Sequence, residues 1–184
     1  MRDLALDEAG IRHERGPLVV AIDASTTACK VLAFDRDGEV VATARTPITK
    51  ASPRPGWQEQ DPEAWWLGTC DALRRLVSEI PVADVAALGI THQRETFACF
   101  DRDDQALRPA ILWLDTRATD QVRRLGTPEV HRLSGKPPST TPSLYKLAWL
   151  ADHEPAALER TVMVADVHAY LVRRLTGRWG NAHL

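Results

Sequence analysis

The feature that most constrains the fold is an apolar run, Leu18 to Asp23, that ends in a carboxylate. A short run of this kind is typical of a buried strand with a functional tip. Two more strands are predicted at Cys29 to Phe34 and Glu39 to Thr46, because the turn-forming sequence Asp35-Arg-Asp-Gly38 separates them. The fold is therefore expected to open with an antiparallel meander.

A helix is predicted after the loop that follows the meander. Asp61 can cap the exposed backbone N–H groups, and Pro62 fits the first helical position. Apolar side chains then recur at helical spacing and predict one stripe that packs against a sheet: Trp66, Cys70, Leu73, Val77 and Ile80. Pro81 ends this helix, and Val85 to Ile90 is predicted to be another buried strand.

The second half of the chain is mostly helical by pattern. We expect a helix from Ser143 to His153, capped by Ser143, and a last helix from Val167 to Leu175 that ends where Gly177 can take the left-handed conformation. Shorter elements are predicted at Phe97 to Phe100, Ala110 to Trp113 and Val162 to Ala165 as strands, and at Thr116 to Leu125 as a helix.

The composition argues against several classes of protein. A chain of 184 residues with 44% hydrophobic content can bury one sizeable core, so one domain is expected. The net charge of −2 is spread along the chain and provides no basic surface for a phosphate backbone, which argues against nucleic acid as a partner. A membrane partner is not expected either, because no apolar run approaches the roughly 20 residues of a membrane span.

The first residues and the cysteines indicate a cytoplasmic protein. Residues 1–16 are charged where a signal peptide would be apolar, and we expect them to form a flexible leader without fixed structure. Cys29, Cys70 and Cys99 are widely spaced within apolar patterns, so we interpret them as buried thiols rather than as a disulfide framework or a metal site.

The tip of the first predicted strand has the residue types that a metal-bound nucleotide requires. Asp23 can hold Mg²⁺ directly or through water, while backbone N–H groups and the hydroxyls of Thr26 and Thr27 can turn toward phosphate oxygens. The pattern by itself is equally compatible with an ordinary turn in which Asp23 and Thr26 satisfy local backbone groups.

The densest polar segment of the chain, Thr91 to Thr96, follows the predicted strand Val85 to Ile90. Within it, Arg94 offers a planar fork of donors and Glu95 offers only acceptors, a pairing suited to neighbouring hydroxyls of a sugar or polyol. The alternatives are a salt bridge or a solvated loop. A bond between the two is not expected, because adjacent residues of an extended chain point to opposite faces.

A second polar group combines an aromatic side chain with an acid and a base. Trp113 can lie against the C–H face of a sugar while Asp115 accepts hydrogen bonds from its hydroxyls, and Arg117 follows two residues later. A core tryptophan beside the capping residue of the next helix explains Trp113 equally well. Trp57 precedes the start of the first helix, and the sequence gives no packing reason for it.

Other catalytic frameworks are not indicated. The six histidines show no ligand spacing, and no phosphate-binding GxxxxGK[ST] sequence occurs. A ribonuclease H-like nuclease remains an alternative, because that fold holds two metals with clustered carboxylates. It would require Asp23, Glu59, Glu95 or Asp115 to converge within a few ångströms.

Taken in order, short motifs from Leu18 to the C-terminus resemble the N-terminal domain of FGGY-family carbohydrate kinases, a family that includes glycerol kinase and xylulokinase. The segments that carry this resemblance are Ile22 to Lys30, Pro55 to Pro62, Gly89 to Thr96, Ile111 to Arg117 and Leu175 to Gly177. The resemblance implies an α/β fold, a ribonuclease H-like or actin-like ATPase lobe with a mixed sheet and flanking helices, which pairs with a second lobe around a cleft.

The resemblance also implies roles for individual residues. Asp23, Thr26, Thr27 and Lys30 match the hairpin that faces ATP phosphates and Mg²⁺, with Asp23 as the metal contact, and Ser25 stands where a glycine is usual. Arg94 and Glu95 match contacts to substrate hydroxyls, and Thr141 falls roughly at the position of a further substrate contact. Trp113 and Asp115 complete the predicted substrate-binding set on the chemistry given above. Glycerol kinases have a tyrosine at about the position of Thr141, and this departure argues against a plain glycerol kinase, whereas the segment Gln93 to Thr96 is similar to glycerol kinases. The resemblance therefore implies a ketopentose or a polyol as substrate, with a xylulokinase-like substrate favoured.

Residues 17–184 would then be an incomplete N-terminal domain. In such kinases the general base is an aspartate, here expected beyond Leu184, and the adenosine-binding motifs lie in the second lobe, so no catalytic residue is expected in this chain. An alternative is a non-catalytic sugar-binding or regulatory lobe. We expect the chain to self-associate, for example as a homodimer, because a surface meant for the second lobe is left open.

Overall fold

The structure, a computed structural model, describes residues 5–6, 12–13 and 16–180. Most of the predicted leader, residues 1–16, lies outside the described residues. Its described part contains two short strands, β1 (Ala5–Leu6) and β2 (Arg12–His13), that pair antiparallel. The absence of fixed structure in this leader therefore stays a prediction.

The remaining elements divide between two compact units, Met1–Ile48 with Leu67–His92, and Thr49–Trp66 with Gln93–Leu184. The strands are β3 (Leu18–Ala24), β4 (Ala28–Phe34), β5 (Val40–Pro47), β6 (Glu59–Gln60), β7 (Val85–His92), β8 (Phe97–Phe100), β9 (Ala110–Ile111) and β10 (Met163–Asp166). The helices are α1 (Pro62–Val77), α2 (Thr119–Leu125), α3 (Pro128–Ser134), α4 (Ser143–His153), α5 (Pro155–Arg160) and α6 (Val167–Thr176). A 3-10 turn, Val82–Asp84, precedes β7.

The first unit contains a mixed sheet with the strand order β5-β4-β3-β7. The predicted meander is confirmed: β3, β4 and β5 pair antiparallel, and Asp35 Oδ1 accepts the backbone N–H groups of Asp37 and Glu39 in the hairpin turn. β7 then adds to β3 in parallel. Alternate residues of β3, from Leu18 to Ala24, are buried on one face, as the period of two in a strand requires.

The first helix starts where predicted, but four of the five buried positions lie one residue before the predicted ones, and Ile80, which follows the end of α1, is buried as predicted. Asp61 Oδ1 accepts the Glu63 N–H at 3.0 Å, which confirms the cap. The buried residues are Trp65, Thr69, Ala72, Leu76 and Ile80. Val77, assigned to the stripe, is exposed. Because Trp65 and Trp66 are adjacent and equally apolar, the spacing of apolar residues fits two helix faces about 100° apart. The buried face also contains the small residues Thr69 and Ala72, which an apolar pattern does not mark.

The strand β7 is present as predicted but is not buried. Leu88 is 44% exposed and its neighbours Ala86, Ala87 and Gly89 are exposed as well. β7 lies at the edge of its sheet, and within the described residues no strand pairs with its outer side. An apolar strand open at its edge is typical of a surface that another chain segment covers.

The second unit contains a small antiparallel sheet with the order β10-β8-β9-β6. Its core includes Phe97 and Cys99 of β8, Ile111 of β9, and Tyr145, Trp149 and Leu150 of α4. The last helix is capped at both ends: Asp166 Oδ1 accepts the Ala169 N–H at 2.7 Å, and Gly177 has a φ of 74°. The glycine stop predicted from the sequence is thereby confirmed.

The three cysteines are free thiols, and their predicted burial is confirmed for Cys29 and Cys99 but is wrong for Cys70. Cys29 and Cys99 are buried and Cys70 is partly exposed. Burial raises the pKa of both the Cys29 and the Cys99 thiols. In the described part of the chain, no helix is long and apolar enough to cross a membrane.

Candidate functional site

The predicted nucleotide-binding residues lie together on the hairpin that joins β3 to β4. Asp23 and Lys30 are directly opposite each other in the antiparallel register, so their side chains share one face of the sheet. Between them the chain turns at Ser25, whose N–H and hydroxyl both bond to Ala28 O. Thr26 is partly exposed and Thr27 is exposed. The hairpin therefore combines a carboxylate, an ammonium and hydroxyls at one tip.

The donor set at this tip fits a magnesium ion that arrives with phosphates. Mg²⁺ is usually held by one or two carboxylates together with substrate phosphates and water, so Asp23 alone suffices as the protein ligand. Among the described residues, no group of three or more His, Cys, Asp or Glu side chains is placed to hold a metal. A two-metal nuclease centre therefore finds no support in this part of the chain.

The predicted sugar-binding pair occupies a turn rather than the end of an extended strand. Arg94 and Glu95 form the turn between β7 and β8, and the structure places no bond between them. Glu95 has a φ of 59°, in the left-handed region that residues other than glycine rarely adopt. Such backbone strain is found preferentially at functional sites, where the surrounding structure maintains it.

The Glu95 carboxylate lies at the N-terminus of α4. Its Oε2 accepts hydrogen bonds from the N–H and the hydroxyl of Ser143, at 2.8 and 3.0 Å, and its Oε1 pairs with the Lys136 ammonium. Burial by itself raises the pKa of Glu95, but the bonds from Lys136 and Ser143 together outweigh it, so the pKa is lowered. Glu95 therefore remains ionised, and the cap of α4 comes from this side chain rather than from Ser143 as predicted.

Arg94, in contrast, is exposed, and its guanidinium has no hydrogen bond or ion pair within the described residues. The turn that carries it is fixed from both sides by buried polar residues. Gln93 Nε2 donates to Gln60 Oε1 at 2.9 Å, and Thr96 Oγ1 donates to Gln93 Oε1 at 3.2 Å. The free fork of donors is thus held on an anchored turn and remains available to a ligand.

Trp113 is tied to the same turn through its backbone. Its N–H donates to Thr96 Oγ1 at 3.0 Å, while its side chain is 38% exposed. The predicted strand Ala110 to Trp113 is shorter in the structure, and Trp113 lies in the turn that follows β9. A half-exposed indole on a fixed backbone is suited to stacking on a sugar ring.

Thr141 is exposed in the loop before α4. Its carbonyl accepts a hydrogen bond from Lys146 Nζ at 2.6 Å, and Lys146 also contacts the segments that carry Glu95 and Trp113. Four of the predicted substrate residues, Arg94, Glu95, Trp113 and Thr141, therefore lie on three connected segments of the second unit.

The fifth predicted substrate residue, Asp115, does not belong to this group. Its side chain is 0% exposed, and both of its oxygens are occupied. Oδ1 accepts from the N–H and Nε of Arg117, and Oδ2 accepts from Arg117 Nη2 at 2.7 Å and from the Gln58 N–H at 2.6 Å. A carboxylate so enclosed cannot reach a sugar hydroxyl, so we withdraw Asp115 from the substrate contacts and assign it a structural role.

Arg117 explains the position of Trp57. The guanidinium carbon lies 3.8 Å from the centroid of the Trp57 ring and 5.0 Å from that of Trp149. Its Nη2 also pairs with Glu59, which binds Arg108 in turn. This buried network, with Arg117 between two aromatic rings, fixes the loop before β6 to the segment that follows β9.

Sequence reasoning missed the residues that support the site: Gln60, Gln93, Thr96, Lys136, Ser143 and Lys146. Gln93 and Thr96 belong to the polar segment Thr91 to Thr96, and their burial on either side of an exposed arginine gives no pattern in a single sequence. Lys146 lies within an otherwise apolar helix face, beside Tyr145 and two turns of helix from His153. A lysine within an apolar helix face is the one feature of the sequence that points to these supporting residues.

Comparison with known proteins identifies the class. The chain matches the family model described as "FGGY family of carbohydrate kinases, N-terminal domain" over residues 18–183. The chain therefore belongs to this family. It is 37% identical over 169 residues to a xylulose kinase of Streptomyces rubiginosus, and 37% identical over 170 residues to a glycerol kinase of Methylorubrum extorquens. These alignments cover 89% and 86% of this chain and 34% of each relative.

Solved structures give the same result for the fold. The chain is similar to xylulose kinases of Brucella ovis, with a TM-score of 0.84 and 29% identity, and of Rhodospirillum rubrum, with 0.83 and 28%. They cover 88% and 89% of this chain, which in turn spans 34% and 35% of them. The predicted actin-like ATPase lobe with a mixed sheet is thereby confirmed. The chain spans about a third of the length of these relatives.

Proposed function

We propose that this chain is the sugar-binding lobe of an ATP-dependent carbohydrate kinase, and that residues 17–184 form an incomplete N-terminal domain of that enzyme. The observation that carries the proposal is the free guanidinium of Arg94 beside the ionised, left-handed Glu95, on a turn that buried polar residues hold in place. Donor and acceptor fixed side by side match the vicinal hydroxyls of a sugar, and the half-exposed ring of Trp113 offers a face for its C–H groups.

The substrate class that we favour is a ketopentose, as in a xylulokinase. Thr141 leaves more room in the loop before α4 than a tyrosine would, which suits a substrate longer than glycerol. Glu95 Oε1 retains a lone pair beside Lys136, an exposed residue that can swing away when a hydroxyl arrives. Glycerol and other polyols remain the second candidate, because a glycerol kinase is as similar to the chain as a xylulose kinase.

The hairpin residues Asp23, Thr26, Thr27 and Lys30 would bind ATP phosphates with Mg²⁺. A magnesium ion there would neutralise charge on the transferring phosphoryl group. Asp23 would hold the ion, Lys30 would add a positive charge opposite it, and the threonine hydroxyls and hairpin N–H groups would orient phosphate oxygens. Ser25 in place of glycine leaves this approach open, because its hydroxyl turns inward to Ala28 O.

A second lobe would complete the cleft and supply the general base and the adenosine pocket. Phosphoryl transfer needs both donor and acceptor in position, so the chain by itself should bind sugar without turnover.

We place the protein in the cytoplasm, where its substrate and ATP meet. The open edge of β7 makes a homodimer the expected state of the isolated lobe.

The test compares two proteins in a coupled assay for ADP release, with D-xylulose, D-ribulose and glycerol offered in turn. The chain alone should release no ADP in response to sugar. A chimera in which residues 18–183 replace the matching segment of the Streptomyces xylulose kinase should turn over, and Arg94→Ala should impair it. A folded, ATP-binding chimera without sugar-dependent turnover would favour a non-catalytic sugar-binding lobe instead.

A further inference from the structure

Lys146 is a fully buried lysine with no role in the proposed phosphoryl transfer. It lies in the first turns of α4, its side chain is enclosed by protein, and its Nζ is surrounded by backbone carbonyls. Nζ donates to Thr141 O at 2.6 Å, to Glu95 O at 3.0 Å and to Leu112 O at 3.3 Å. A protonated amine has three donors, so each carbonyl receives one.

The three carbonyls belong to three separate segments. Glu95 is in the turn between β7 and β8, Leu112 directly precedes Trp113, and Thr141 is in the loop before α4. Each of these segments carries a proposed sugar contact. We infer that Lys146 is the positioning residue of the sugar site: one ammonium group fixes the three loops relative to one another. The inference rests on the proposed function.

The bond to the Glu95 carbonyl has a specific consequence. Glu95 is held in the left-handed region, and a residue with a Cβ leaves that conformation unless the surroundings maintain it. Lys146 binds the backbone of Glu95 while Ser143 and Lys136 bind its side chain. Removal of the ammonium therefore frees the backbone at the residue next to Arg94, and the turn that carries Arg94 is no longer held in one position.

Burial and nearby charges act in opposite directions on the pKa of Lys146. Burial lowers its pKa to about 8, Arg117 opposes the charged form as well, and the carboxylates of Glu95 and Asp115 favour it. A neutral amine has only two N–H donors for three carbonyls. Above about pH 8 one loop therefore loses its bond, and sugar affinity should fall.

Global stability has the opposite dependence on pH. The pKa of Lys146 is lower in the folded chain than in the unfolded one, so between about pH 8 and its ordinary value of 10.5 the unfolded chain binds more protons. Stability therefore rises with pH across that window and is lost as the pH falls through about 8. This rise follows from the lowered pKa whatever the role of Lys146, so a sugar affinity that falls while stability rises reports a change in the loops and not a loss of the fold.

The experiment uses residues 1–184 with the variants Lys146→Met and Lys146→Arg, and with Lys50→Met as the matched control at an exposed lysine. Backbone hydrogen exchange reports on the loops, and calorimetry reports the affinity for D-xylulose. Lys146→Met should lose about tenfold or more in sugar affinity. It should also accelerate exchange of the Trp113 and Ser143 amides while the amides of β3 and β4 stay protected. Lys146→Arg should recover part of the affinity.

The possible results separate the role of Lys146 from the proposed function. Wild-type chain that binds sugar, with Lys146→Met binding it equally well, would overturn the role of Lys146 and leave the proposed function intact. Wild-type chain that binds no sugar would overturn both. If Lys146→Met does not fold, the wild type alone decides: affinity that falls between pH 7 and 9.5 while stability rises supports the inference, and affinity that is constant or rises with stability contradicts it.

Discussion

Glu95 Oε2 accepts the backbone N–H of Ser143 at 2.8 Å, which places an ionised carboxylate at the N-terminus of a helix 48 residues further along the chain. The partial positive charge of the helix end stabilises this carboxylate. The same contact joins the turn of Arg94 to the loop of Thr141. One residue therefore serves as a candidate sugar ligand and as the cap of α4, and the two roles respond differently to mutation and to pH.

The capping role predicts a dependence of stability on acid. Because the pKa of Glu95 is lowered below its ordinary value of 4.5, its contribution is present above that value and is lost as the pH falls through the folded-state pKa. The melting temperature of wild type should exceed that of Glu95→Gln at pH 7, and the gap should shrink as the pH is lowered from about 5 to 3. A gap of constant size would contradict the pairing with Lys136 and Ser143.

Removal of the enclosed Asp115 carboxylate should cause a large loss of stability. Asp115→Ala leaves Arg117 buried with its main partner removed, which typically costs about 3–5 kcal/mol. Asp120→Ala is the matched control, because its pair with Arg123 is exposed on both sides and such pairs contribute about 0–1 kcal/mol. Urea unfolding measures both. Equal midpoints for the two variants would show that Asp115 is not part of a buried network.

Substitution of Asp23 at the tip of the hairpin should affect phosphoryl transfer alone. In a complete enzyme, Asp23→Asn should lower kcat about tenfold at saturating sugar, equivalent to ~1.4 kcal/mol of barrier, because the charge that orients Mg²⁺ is removed. Asp37→Asn, in the exposed hairpin turn, should behave as wild type. An unchanged kcat for Asp23→Asn over a range of magnesium concentrations would remove Asp23 from the site.

The open edge of β7 predicts self-association of the isolated chain. Leu88 is 44% exposed on this edge strand, so two copies can bury it by pairing edge to edge. Light scattering after gel filtration should give a mass that increases with concentration, and Leu88→Lys should shift it toward the monomer. Leu133→Lys, at a more exposed position on α3, is the control. A wild-type monomer at all concentrations would contradict the prediction.

The sequence predicted those parts of the fold that depend on local chemistry. The Asp35 to Gly38 turn, the Asp61 cap and the Gly177 stop each rest on residues within a few positions, and all three are confirmed. The face of α1 was missed because the adjacent Trp65 and Trp66 fit two stripes, and only the tertiary structure distinguishes them.

The exposed residues of the site could be predicted from the sequence, but the buried residues that hold them in place could not. Arg94 and Trp113 have side chains that are accessible as well as chemically suited, so residue type was a sufficient guide. Asp115 has the same chemistry but is enclosed by Arg117, and that burial depends on Trp57, about sixty residues away. Long-range contacts of this kind leave no local pattern in one sequence.

Sugar binding by this lobe can be measured by calorimetric titration of the purified chain with D-xylulose, D-ribulose and glycerol, in parallel with the variants Arg94→Ala and Arg102→Ala. Arg102 is an exposed arginine in the turn after β8 and serves as the control. Wild type and Arg102→Ala should bind a ketopentose saturably, and Arg94→Ala should lose about 1.5–3 kcal/mol of binding free energy. Saturable binding that Arg94→Ala leaves unchanged, or no binding of any of the three by wild type, would contradict the account.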